Sequence, residues 1–166
     1  MRRSWQVLVV AVVAATLLGG GVSPAGAVVG PDSPVSWVVE PVTVTATAPS
    51  CWEATRAIAM QNSVRETIAR YFHRFNWCTN ATHTLITSPR HAAWGECYRP
   101  FCSFVGNIDQ YERGAGGGFP SYTAYTKGHF CWGAKDVACG VQRYPYHEGM
   151  VSAGTRDRVF DTRAGW

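Results

Sequence analysis

The sequence predicts a mainly β fold, an antiparallel β-sandwich of the immunoglobulin-like kind stapled by disulfides. Two observations carry this. Beyond Cys78 the chain is a series of short β-branched and aromatic runs separated by Gly, Pro and Asn turns, at the 8–12-residue spacing of sandwiches and barrels. It also has six cysteines, an even number.

The N-terminal region reads differently. Arg2 and Arg3 precede an apolar run from Val7 to Leu18, broken by Gly19, Gly20 and Gly21. Ala25-Gly26-Ala27 then gives the small-x-small pattern of signal peptidase sites. Charge, apolar stretch and cleavage site in this order predict a secretory leader over residues 1–27, cut after Ala27. The run is shorter than the roughly 18–20 residues of a membrane span, so no transmembrane segment is expected after cleavage. The mature chain, Val28–Trp166, would be about 140 residues, enough for one domain with its own core. Losing Arg2 and Arg3 lowers the formal charge from +4 to about +2, too little to favour nucleic acid or an anionic membrane as partner.

An exported chain meets oxidising conditions, so its cysteines are expected in disulfides. Proximity suggests the pairing Cys51–Cys78, Cys97–Cys102 and Cys131–Cys139, with Gly133-Ala134-Lys135-Asp136 as a hairpin connection between the last two.

Residues 28–50 read as a Pro/Val/Thr-rich extended arm, with strand composition at 42–47. Residues 51–166 form the expected disulfide-stabilised β domain. Within it, residues 53–75 fit two templates. Val64, Ile68, Tyr71, Phe72 and Phe75 fall at helical spacing, whereas Tyr71, His73, Phe75 and Trp77 alternate as in a strand, so a helix there stays open. Thr82–Thr87 is β-branched and ends at Ser88-Pro89. Runs at 91–94 and 102–105 lead to Gly95 and Gly106. Gly114–Gly118 is a loop. In 122–130 the even positions (Tyr122, Ala124, Thr126, Gly128, Phe130) and the odd ones (Thr123, Tyr125, Lys127, His129) fall on opposite faces. Val141, Tyr144 and Tyr146 follow in the last run considered.

Trp77-Cys78, Ile86-Thr87, Gly106, Tyr122-x-Ala124, Gly128-x-Phe130, Cys139 with Gln142, Pro145 and Gly154-Thr155 form a succession that resembles a group of small secreted actinobacterial β-sandwich proteins, mostly uncharacterised. The resemblance spans roughly residues 51–155. It implies the fold and export, and favours strand for 66–78; it implies no reaction.

The chemical motifs are sparse. G-x-S-x-G and H-E-x-x-H are absent, and Gly114–Gly118 is followed by Phe119-Pro120 rather than a Lys-Ser/Thr pair. Six pairable cysteines leave no thiolate nucleophile and argue against zinc at His91, Cys97 and Cys102. The five histidines read as strand or loop residues. No catalytic residue, metal or cofactor is assigned. Asn80-Ala81-Thr82 matches a glycosylation acceptor expected to be unused.

Aromatic residues offer the remaining functional signal. Exposed Trp and Tyr on a sandwich can stack on sugar rings. The candidate surface is Trp37, Trp94, Tyr125, Tyr144, Tyr146 and Trp166, while Trp77 and Trp132, each next to a cysteine, are expected in the core. The leading expectation is a secreted, non-enzymatic module contacting cell-envelope polysaccharide or an extracellular protein. Two alternatives remain: an extracellular hydrolase drawing its acid and base from Glu96, Asp109 or Glu148 (with Glu112 among the carboxylates considered), and a protease-inhibitor-like protein presenting Arg99-Pro100 between Cys97 and Cys102.

Overall fold

A computed structural model describes residues 35–133 and 139–166, except for the side chains of 156–158. The expected leader and its cleavage site, the start of the arm and most of the expected 133–136 connection lie outside the described residues.

The described chain is built from ten strands: β1 (Ser36–Val39), β2 (Thr43–Ala48), β3 (Cys51–Gln61), β4 (Thr67–Cys78), β5 (Arg90–Cys97), β6 (Cys102–Arg113), β7 (Ser121–Trp132), β8 (Val141–Arg143), β9 (Tyr146–Ser152) and β10 (Thr155–Gly165). They form two antiparallel sheets. In the first, β3 pairs with both β1 and β2 on one side and with β4 on the other, and β4 pairs with β5. In the second, β7 pairs with β6 on one side and with both β8 and β9 on the other, and β9 pairs with β10.

Two prolines explain the doubled partners. β1 and β2 lie end to end along β3, divided at Pro41, and β8 and β9 lie end to end along β7, divided at Pro145. Proline has no N–H for the ladder and interrupts an otherwise continuous strand. Each sheet is thus a sequential meander, an up-and-down order rather than the Greek key of immunoglobulin domains. At the β5–β6 corner the Cys97–Cys102 disulfide and a bond from Asn107 Nδ2 to the Ala93 carbonyl (2.9 Å) join the sheets. Across the other edge Arg56 of β3 meets Asp161 of β10.

The helix left open for residues 53–75 does not form. These residues lie in β3, a turn and β4. The alternating register prevails because Tyr71, His73, Phe75 and Trp77 are all buried on one face, while Arg70, Arg74 and Asn76 point outward. Burial on a pleated face outweighs local helix propensity. Nor is Thr82–Thr87 a strand. It is a turn segment touching the sheets through bridges from Ile86 to Thr79 and Phe119. Asn80 organises it, its Oδ1 accepting from Thr84 N (2.8 Å) and Leu85 N (3.1 Å) and its Nδ2 donating to Thr82 and Thr84. The acceptor amide of the glycosylation motif is therefore engaged internally. In place of a free arm, residues 36–48 supply β1 and β2.

The three disulfides pair as proximity suggests: Cys51–Cys78, Cys97–Cys102 and Cys131–Cys139. The core lies between the sheets in two apolar clusters. One gathers Ala54, Phe75, Trp77, Ile86, Tyr122 and Val151; the other gathers Trp37, Ile58, Met60, Ile68, Tyr71 and Phe130. Trp77 is fully buried, and Trp132 packs half-buried against the second cluster. Gly128 faces inward in β7 because Tyr71 occupies the space of a side chain: a Cβ there would lie 2.5 Å from its ring.

Candidate aromatic surface and the polar seam behind it

The even–odd alternation of β7 fixes what its outer face carries. Tyr125 and Lys127 point outward, and register places Tyr111 of β6 and Glu148 of β9 on either side of Tyr125. Tyr111 and Tyr125 stack at 5.0 Å, and Tyr146 lies 6.3 Å from Tyr125. The Arg163 guanidinium covers the Tyr125 ring at 4.7 Å and donates to Glu148 (2.7 Å), which also accepts from the Tyr111 hydroxyl. Burial pushes the Glu148 carboxyl up, but hydrogen bonds from Tyr111, Thr162 and Arg163 outweigh it and hold the group below its ordinary value.

Elsewhere on the surface an open groove of about 380 Å³ is lined by Val35, Trp37, Gln142, Arg143, Tyr144 and Trp166. Each wall has a local cause. Trp37 points inward from β1 opposite Met60. Trp166 follows the last pair of β10, Gly165 with Tyr146. Tyr144 sits in the break that Pro145 makes between β8 and β9. Trp37 and Trp166 stack at 6.0 Å and 16°; Trp37 is 8% exposed and Trp166 61%. His129 stacks on Tyr144 at 4.9 Å, with the Lys127 ammonium 5.5 Å from the same ring. The groove thus combines flat apolar walls with the donors of Arg143 and Gln142.

Of the six aromatic residues singled out by sequence, Trp37, Tyr144 and Trp166 share the groove, and Tyr125 and Tyr146 adjoin each other on the outer face of the second sheet, where Tyr125 is buried under Arg163 rather than open to a ligand. Trp94 stands apart. It lies on the outer face of the first sheet, stacked on Phe72 at 5.0 Å with the Arg74 guanidinium 4.9 Å from its ring. Its Nε1 donates to Glu96 (3.1 Å).

Of the carboxylates considered for acid–base chemistry, Glu96 lies on a different sheet from Asp109 and Glu148. Glu96 lies on the first sheet, bound by Tyr98 and Trp94, whose hydrogen bonds hold it below its ordinary value. Asp109 and Glu148 lie on the outer face of the second sheet with β7 between them. In the Cys97–Cys102 loop, Arg99 pairs with Glu66 at 2.5 Å.

The sequence reading missed a line of linked polar side chains between the sheets. Between the two apolar clusters His73 Nδ1 lies 2.9 Å from His147 Nδ1, and His73 Nε2 lies 3.0 Å from His91 Nδ1. His147 Nε2 reaches Asp161 Oδ1 at 2.8 Å, and His91 Nε2 reaches Glu112 Oε1 at 3.3 Å. Arg56 closes one end on Asp161 (Nε to Oδ1, 3.0 Å), and the Tyr122 hydroxyl donates to Glu112 at the other (2.9 Å). His73 and His147 are each 1% exposed. Burial, then the neighbouring His147 and His91, push the His73 imidazole far below the ordinary histidine value. The alternation of Tyr71, His73, Phe75 and Trp77 could have signalled an inward His73, but only register brings three histidines from three strands together. Their nitrogens face one another in pairs rather than converging. Among the described residues, no group of three His, Cys, Asp or Glu is arranged to hold a metal ion.

Comparisons with protein families, with curated proteins and with solved structures find no match for the chain.

Proposed function

We propose that this is a secreted, non-enzymatic β-sandwich module that binds cell-envelope polysaccharide through the Trp37–Tyr144–Trp166 groove. The observation that carries the reading is the groove itself. A 61%-exposed tryptophan stacked on a buried one is held in place without the stabilisation of full burial, and sugar rings use such flat apolar faces. Arg143 and Gln142 supply donors for ring hydroxyls. The sequence leader, the three disulfides and the resemblance to small actinobacterial secreted proteins support export.

The test is retention of the mature protein on isolated cell-envelope polysaccharide, with tryptophan fluorescence as a second readout. Trp166→Ala and Tyr144→Ala are each expected to weaken binding about tenfold, in line with loss of one aromatic contact. Binding unaffected by both substitutions, or none to any envelope preparation, refutes the assignment.

A further inference from the structure

The seam between the sheets is a line of five ionisable groups with four contacts: three hydrogen bonds, Asp161–His147, His147–His73 and His73–His91, and one ion-pair contact at 3.3 Å, His91–Glu112. Each contact is satisfied by one proton. Three neutral imidazoles bring three, so with both carboxylates ionised one contact always sets a nitrogen lone pair against another acceptor. A fourth proton satisfies all four. A fifth forces two N–H groups to face each other somewhere in the line. Charge agrees with the count: two carboxylates, the Arg56 guanidinium and one imidazolium sum to zero, with the carboxylates at the partly exposed ends of the line.

The position of the extra proton also follows. Arg56 already neutralises Asp161, whereas Glu112 has no cation among its described hydrogen-bond and ion-pair partners beyond His91. His147 then donates through Nε2 to Asp161, His73 through Nδ1 to His147, and His91 through Nδ1 to His73, with its Nε2 paired to the Glu112 carboxylate.

We propose that the seam is an acid-sensitive latch between the two sheets: it holds one shared proton, as an imidazolium at His91, and uptake of a second one parts the sheets. His73, His91 and Arg56 belong to the first sheet and His147, Asp161 and Glu112 to the second, so the line crosses the core from one sheet to the other. Among the described residues, the charged or titratable side chains in contact with it are Arg56 from β3, Glu112 from β6, Tyr122 from β7 through Glu112, and Asp161 from β10. The Tyr71 hydroxyl of β4 is turned to Asn107 and Thr126. Unfolded, each of the three histidines takes a proton as pH falls through about 6.5. Folded, the seam accepts only one. Stability is therefore present above that pH and lost below it, with about two protons taken up on unfolding, a rise of roughly 100-fold per pH unit in the unfolding equilibrium constant.

The test begins with the full mature chain carrying ¹⁵N-labelled histidine, read by long-range ¹H–¹⁵N correlation between pH 8 and 6. His91 is expected protonated on both nitrogens, His73 on Nδ1 only and His147 on Nε2 only, with no change across the range. A neutral His91, or three rings titrating separately near pH 6.5, overturns the proposal. Urea unfolding between pH 6 and 5 is the second arm. The parent is expected to show the two-proton slope. Glu112→Gln, which removes the negative charge paired with the shared proton, is expected to steepen it towards three protons, about 1000-fold per unit. A parent slope of three protons, or of one or fewer, or an unchanged slope in Glu112→Gln, overturns it. The NMR arm needs no substitution and decides even if the variant does not fold.

Discussion

Gly128→Ala tests the packing that positions the two sheets. The added Cβ would lie 2.5 Å from Tyr71 Cε2, 2.9 Å from its Cδ2 and 3.1 Å from Phe104 Cε2. Optimal carbon–carbon separation is about 3.5–4.0 Å, so the closest contact is too short by about 1 Å. The Tyr71 ring cannot easily swing aside, because its hydroxyl is held by Asn107 (2.8 Å) and Thr126 (2.6 Å) and the residue is 1% exposed. Overpacking of this severity costs about 2–3 kcal/mol. Replacing glycine returns about 0.4–1 kcal/mol by restricting the unfolded chain. The net loss is about 2 kcal/mol, a fall in Tm of about 6–10 °C for a domain of this size. Scanning calorimetry at pH 7.5 measures it. Tyr71→Phe frees the ring from its hydrogen bonds, so the same alanine should cost about 1 kcal/mol less in that background. Gly154→Ala is the control, since nothing lies within 4 Å of its Cβ, and should stay within about 0.5 kcal/mol of the parent. A Gly128→Ala protein as stable as the parent would refute the argument, as would an undiminished cost in the Tyr71→Phe background.

Other outcomes follow from the same contacts. Arg56→Met should cost about 1–3 kcal/mol at pH 7, because Asp161 loses its cation. Burial raises the Asp161 carboxyl, but hydrogen bonds from His147 and Arg56 and the Arg56 charge outweigh it and hold it below its ordinary value. Its contribution is therefore present above about pH 3.9 and lost as pH falls through the lower folded value, so parent and variant should converge in acid urea titrations. Replacing Cys51 and Cys78 by alanine opens a 27-residue separation and should cost about 3.5 kcal/mol; the Cys97–Cys102 pair, separated by 5, should cost about 2. Non-reduced thermal melts that reverse this order would refute the loop-entropy reasoning. Burial raises both the Tyr71 and Tyr122 hydroxyls well above the ordinary value, and Glu112 adds to the shift at Tyr122. Neither should ionise before the protein unfolds, and stability should fall as pH rises through about 10, where both ionise in the unfolded chain. Ultraviolet titration followed alongside circular dichroism checks this.

The sequence by itself determined what depends on neighbours along the chain. The alternation in 122–130 assigned faces that β7 keeps, because successive side chains in a strand must point to opposite sides. Proximity along the chain suggested the Cys97–Cys102 and Cys131–Cys139 pairs without excluding other pairings, and Cys51 and Cys78 meet because β3 and β4 pair from end to end. Adjacent His147 and Glu148 of β9 point to opposite faces by the same rule. Tertiary structure decided the rest. Residues 53–75 became strands because an inward aromatic face was available to bury, which local periodicity could not reveal. Trp37 and Trp166, 129 positions apart, meet because the meander brings its first and last strands to one edge. The seam is the extreme case. His73, His91 and His147 each read as an ordinary strand or loop histidine, and only the register of two sheets aligns them between Asp161 and Glu112.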